Sequence, residues 1–195
     1  MAATNHAQSI KQDSRDYLTT ALLQLLETKD LNVITVTQVV KRAGVSRMAF
    51  YRNFETLDDV LVGYFRPAIA SRFNDVLTGV AHDDKLTAMD QFFVNFAATM
   101  RLAVDRGFEH IIRQIFNENM VAFYRQNMHW QGISQTQQRY WTQFMSAGVY
   151  AIWREWLLGG QQETLNEVHD LIATFQHATM AALMTVSKER KYGDG

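Results

Sequence analysis

From Asp13 to Thr28 the apolar positions Tyr17, Leu18, Ala21, Leu22, Leu25 and Leu26 recur at the three-and-four spacing of one helix face. The polar residues before them, 1–12, read as a loose arm. In "NVITVTQVVKRAG" a second, short helix begins: Thr35 is placed to cap it, Gln38 completes a capping box, and Gly44 stops it. Ser46 is placed to cap a third helix from Arg47 to about Asn53. Thr56 with Asp59 opens a fourth, to about Leu77. Pro67 in that fourth helix lacks an amide hydrogen and crowds the carbonyl of Gly63. A kink or break between Gly63 and Pro67 is predicted, with a plain helix end as the other reading.

Farther on, Asp84 is placed to cap a helix reaching Asp105, and shorter helices cover 107–116 and 118–128. Ser134 with Gln137 opens a long helix closed by Gly159 and Gly160, and Thr164 with Glu167 opens the last, to about Lys188. Only "VITV" alternates as a strand would. The fold class is therefore all-α: an N-terminal three-helix helix-turn-helix head (1–55), joined by a long fourth helix to a helical-bundle body (56–195).

Composition narrows the chemistry. With 47% apolar residues, one proline and ten glycines in 195 residues, the chain suits long helices around a real core. The absence of cysteine excludes a disulfide framework, a thiolate zinc site and a cysteine nucleophile. His6, His82, His110, His129, His169 and His177 show no metal-ligand spacing. There is no Glu-x-x-His pair and no Gly-rich phosphate loop. Glu109 and His110 are adjacent, so on a helix they point apart. The expectation is a non-enzyme with no metal and no cofactor. No signal-peptide core and no apolar run of roughly 18 residues is present, which suits a soluble, cytoplasmic chain.

The net charge of -1 hides an asymmetry: residues 1–55 hold seven basic and five acidic side chains, leaving twelve and fifteen in the body. The positive charge gathers in "VVKRAGVSRMAFYRNF", where Lys41, Arg42, Arg47 and Arg52 have no acid among them. Two short helices around a glycine turn, the second capped by serine, follow helix-turn-helix logic. Val40, Ala43, Val45, Phe50 and Phe54 would lock the pair, leaving Arg47, Met48, Tyr51 and Arg52 outward. Arginine can pair with guanine and a tyrosine hydroxyl can reach a phosphate.

"TVTQVVKRAGVSRMAFYRNFETLDDVL", Thr35 to Leu61, resembles the DNA-binding signature of TetR-family transcriptional regulators without a gap. The stretch from Phe144 to Ile172 is similar to the C-terminal region of one subgroup of them. The resemblance implies a ligand-responsive regulator, most often a repressor, acting as a homodimer on a pseudo-palindrome of double-stranded DNA. It places Arg47, Met48 and Ala49 near bases, Tyr51 on a phosphate, and Thr37 and Ser46 near the backbone. Three positions depart from the pattern: Asn53 stands where histidine is frequent, Leu57 where many members carry lysine, and Glu55 adds an acid nearby. Asn53 can still donate a hydrogen bond, whereas Leu57 and Glu55 favour the alternative, a helical interaction or ligand-sensing module with weakened or lost DNA binding.

In the body, Phe92, Phe96, Met100, Phe116, Met120, Phe123, Tyr124, Trp141 and Phe144 form either a packed core or a cavity for a small apolar or amphipathic effector. Arg101, Arg113, His110 and Tyr124 are its candidate polar handles. The small residues Gly148 and Ala151, with Ala178, Ala181 and Ala182, would let the last two helices of two chains approach closely, with Trp153 and Trp156 filling the gaps. The alternative is that they pack only within one chain.

Overall fold

A computed structural model describes the backbone over residues 2–77 and 96–193, with side chains over 12–71 and 96–185. The expected Asp84 cap and the pocket candidate Phe92 lie outside the described residues. Within them every regular element is a helix. In order these are α1 (Ala2–Leu26), a 3-10 turn (Leu31–Val33), α2 (Val36–Ala43), α3 (Arg47–Asn53), α4 (Leu57–Leu77), α5 (described over 96–105), α6 (Glu109–Asn127), α7 (Gln135–Leu158) and α8 (Leu165–Gly193). No described helix is long and apolar enough to cross a membrane.

Local chemistry accounts for most boundaries. Thr35 and Gln38 cap α2 reciprocally, at 2.9 and 3.3 Å, and Gly44 ends it with φ +69°, a conformation that a Cβ disfavours. Ser46 Oγ accepts from Ala49 N at 3.0 Å to start α3. Thr56 and Asp59 do the same for α4, at 3.2 and 2.8 Å. The Ser134–Gln137 and Thr164–Glu167 boxes open α7 and α8.

Four expectations are corrected. Residues 2–12 are not a loose arm but the first turns of α1, since neither glycine nor proline interrupts the chain before Gly44. The "VITV" segment is not a strand: Val33 ends a 3-10 turn, Ile34 and Thr35 are extended, and Val36 begins α2. The two helices expected over 107–128 are one, because Asn117 is no helix breaker and buried positions continue from Ile111, Ile112 and Ile115 to Met120 and Tyr124. Finally, α4 has neither a break nor an end at Pro67: it runs on through it with one amide fewer in the ladder, while Phe65 and Ile69 on either side remain buried.

The chain divides into two compact units. The first comprises Met1–Arg72 with Thr99–Ile115, the second Phe73–Ala98 with Phe116–Gly195. In the first, Leu18, Leu22 and Leu26 of α1 are fully buried with Val39, Phe50, Val60 and Leu61. Each contributes roughly 1.5–3 kcal/mol by leaving water. Phe65 stacks on Phe108 with centroids 5.9 Å apart. The Arg106 carbonyl accepts from Leu31 N at 2.8 Å, and its guanidinium reaches the Glu27 carbonyl at 3.0 Å. The α5–α6 turn is thereby fastened to the end of α1. In the second unit, α7 and α8 pack along each other, and the Trp141 indole donates to Thr179 Oγ1 at 3.1 Å.

Candidate nucleic-acid interface

The frame of the helix-turn-helix is hydrophobic. Phe50 is wholly buried, meets Tyr51 edge-on at 5.3 Å and lies against Phe54 at 6.0 Å. Val40 and Phe54 are buried as expected and Ala43 and Val45 half-buried; Val39, also wholly buried, adds a second valine to the lock.

On the outside stand Thr37, Lys41, Arg42, Ser46, Arg47, Met48, Tyr51 and Arg52, all exposed, with Ala49 half-buried between them. Met48, 71% exposed, has no packing reason to be there. The Arg47 guanidinium donates to Thr37 Oγ1 at 3.3 Å and to Tyr51 Oη at 3.4 Å. These long bonds gather the start of α2 and two turns of α3 into one donor-rich patch with no carboxylate in it. Arg42 is held differently: its Nε donates to Gln24 Oε1 of α1 at 2.8 Å. Arg52 Nε lies back along its own helix, 3.4 Å from the Met48 carbonyl.

Asn53 turns back onto its own helix. Its amide Nδ2 bonds the Ala49 carbonyl at 2.8 Å, and its Oδ1 is buried without a partner. Leu57 is half-buried and Glu55 exposed, so the first turn of α4 is acidic, with Glu55, Asp58 and Asp59 close in sequence.

Arg15 is a positioning residue that its sequence context did not reveal. Its guanidinium lies 4.5 Å from the centre of the Phe54 ring and donates to the Asn53 carbonyl at 3.3 Å. It also reaches α4, where a Cβ built on Gly63 would lie 3.4 Å from Arg15 Nη2, in ordinary contact. One cation from α1 thus closes the end of α3 and packs over α4.

In the body the expected pocket residues divide. Met100, Met120, Tyr124 and Trp141 are buried, and Phe96, Phe116 and Phe123 half-buried. Phe144 is 66% exposed and cannot line an interior cavity in this chain. Burial pushes the Tyr124 phenol up to about 12, partly offset by a hydrogen bond from Gln176, so the hydroxyl stays neutral. Of the other polar handles, Arg101 and Arg113 are exposed and His110 pairs with Asp58 at 3.0 Å in the first unit.

The small residues of the last two helices lie outside: Ala151, Ala178, Ala181 and Ala182 are exposed and Gly148 half-buried. Trp153 and Trp156 do not join them, which corrects their assignment to an interface. Both are buried against each other, centroids 5.5 Å apart, and the Trp156 indole donates to the Glu163 carbonyl at 2.9 Å. The exposed stripe sets larger residues among the alanines: Tyr140 and Phe144 beside Ala147 and Ala151 on α7, and Leu171 and Phe175 beside Ala178 and Ala182 on α8.

No protein-family model matches the sequence, and no curated protein matches it. Among solved structures, a TetR transcriptional regulator from Streptococcus agalactiae superposes with a TM-score of 0.61 at 20% identity, over 90% of this chain and 99% of that one. The dihydroxyacetone kinase operon activator DhaS is matched more loosely, with a TM-score of 0.48 at 18% identity over 87% and 97% of the two chains. With its helix-turn-helix head and long-helix body aligned along nine-tenths of its length, the chain has the fold of a TetR transcriptional regulator.

Proposed function

We propose that this protein is a DNA-binding transcriptional regulator, a ligand-responsive repressor that acts in the cytoplasm as a homodimer on a pseudo-palindromic operator. The observation that carries the reading is the Thr37–Arg47–Tyr51 patch, exposed on a helix whose angle is set by buried Val39, Phe50 and Phe54. Arg47 and Met48 face base edges, Tyr51, Thr37 and Ser46 the phosphates, and Lys41 the flanking backbone. Residues 1–55 read the DNA; the remainder dimerises and accepts an apolar or amphipathic effector among Phe116, Met120, Phe123, Tyr124 and Trp141. Two heads in such a dimer meet half-sites about 34 Å apart.

The test is binding of the chain to the duplex upstream of its own gene across a salt series. Specific binding that weakens linearly on logarithmic axes is expected. Replacing Arg47 by Ala is expected to cost roughly 1–3 kcal/mol and relax the base preference at one position. Tyr51→Phe lowers affinity for all sequences alike. The second reading, an interaction module that has lost DNA binding, is favoured by the acidic first turn of α4 and by Leu57. Absence of a salt-sensitive preference for any duplex would establish it over the first.

A further inference from the structure

Between Glu118 and Glu155 the chain carries no aspartate or glutamate, although the body as a whole is acidic. Two of the cations in this acid-free run, Arg125 of α6 and Arg139 of α7, line one cleft of about 300 Å³ in the second unit. Neither has a carboxylate partner among the described residues. Uncompensated guanidiniums converging on a concave surface are a place for an anion.

The rest of the lining supports the same chemistry. Gln135 and Thr136 begin α7, a helix of 24 residues. The Ser134 cap takes the amides of Gln137 and Gln138, at 3.3 and 2.9 Å. It leaves the two amides before them without an intrahelical partner, at the positive end of the helix dipole. Trp130 supplies an apolar wall. Its own ring is braced edge-on against buried Trp141, centroids 5.6 Å apart. The turn that carries it closes through Ile133 N to the Trp130 carbonyl at 3.1 Å, with Gly132 at φ +82°, as a type II turn requires. Gln138 Nε2 pins the Ile133 carbonyl at 2.9 Å, and Arg139 is laid over the Tyr140 ring at 4.9 Å. The turn that carries Trp130 and the start of α7 are therefore fixed relative to each other.

We infer that this α6–α7 corner binds a small organic anion, a carboxylate or phosphate borne on a planar apolar body. The charged group lies between Arg125, Arg139 and the first turn of α7, and the planar body against Trp130. A cleft of this size is at the small end of the roughly 300–1,000 Å³ usual for ligand sites, which suits one ring rather than several. The site is distinct from the buried aromatic cluster proposed for an apolar effector, and it does not depend on the head reading DNA.

The experiment is calorimetric and fluorescence titration of the full chain, without DNA, with benzoate, phenyl phosphate, inorganic phosphate and neutral benzamide. Saturable binding of either aromatic anion is expected, at least tenfold tighter than benzamide and weakened by salt. Comparing benzoate with phenyl phosphate decides between the two head groups. Arg125→Ala and Arg139→Ala are each expected to lower affinity about tenfold, with unchanged circular dichroism because both side chains are exposed. Trp130→Phe removes the fluorescence response but keeps the calorimetric one. The inference is overturned if benzamide binds as well as benzoate, if the arginine variants bind unchanged, or if no anion binds saturably. Inorganic phosphate binding as tightly as phenyl phosphate would overturn the part given to Trp130.

Discussion

Arg15 lies away from the exposed Thr37–Arg47–Tyr51 patch yet braces the end of the helix that carries Arg47 and Tyr51. Removing its guanidinium exposes the Phe54 ring and leaves the Asn53 carbonyl, at the end of α3, without its donor. Arg15→Ala is expected to destabilise the fold by about 1–2 kcal/mol, the sum of one cation–π contact and one hydrogen bond. It should also weaken DNA binding although it touches none. Arg15→Lys restores the charge but not the planar stack, so it should recover less than half of the loss. Denaturant midpoints for the two variants check this. Arg42→Ala serves as the control: its bond to Gln24 is exposed, and a change below about 0.5 kcal/mol is expected. Arg15 could not be recognised in the sequence because its partners lie 38 or more positions away, on α3 and α4. The exposure of Arg47 and Tyr51 was legible because the local spacing that buries Phe50 turns both of them to solvent.

The starts of α2, α3, α4, α7 and α8 were legible one by one because each rests on capping chemistry within four residues. Helix continuity was not. The missing break at Asn117 and the helical 2–12 both come from the lack of any residue that forbids helix, and polar composition alone looks the same in an arm and an exposed helix. The phase of α7 was ambiguous for another reason. Tyr140, Phe144, Ala147 and Ala151 on one side are nearly as apolar as Trp141, Met145, Val149, Trp153 and Trp156 on the other, and periodicity fixes the spacing but not which stripe turns inward. The two capping boxes of the body make a testable contrast. In α7 the partner is neutral Gln137; in α8 it is Glu167, whose carboxyl lies below its ordinary value because Thr164 N and Oγ1 both donate to it at 2.8 Å. A depressed carboxyl stabilises above the unfolded value of about 4.5 and ceases to as pH falls through the folded one. Amide protection in the first turn of α8 should therefore decline below that pH while that of α7 holds. Glu167→Gln should abolish the difference.

At the scale of the whole molecule, the two faces of α7 assign distinct work to neighbouring aromatics. Trp153 and Trp156 hold their own chain together, whereas Phe144 and Phe175 stand 66% and 46% exposed on adjoining helices, among exposed alanines. A dimer through the last two helices would cover those phenylalanines and let α7 and α8 of two chains approach at the alanines. Phe144→Glu with Phe175→Glu is then expected to leave the fold intact and convert the protein to monomer at micromolar concentration in sedimentation. Trp153→Ala should instead cost about 3–5 kcal/mol of stability within each chain. The consequence for DNA follows from symmetry: a monomer meets one half-site, so the glutamate pair should abolish binding to a palindromic site although Arg47 and Tyr51 are untouched. A double variant that still sediments as a dimer would move the interface off this stripe. A parent chain that is monomeric would remove the dimer from the mechanism, and with it the need for a palindrome.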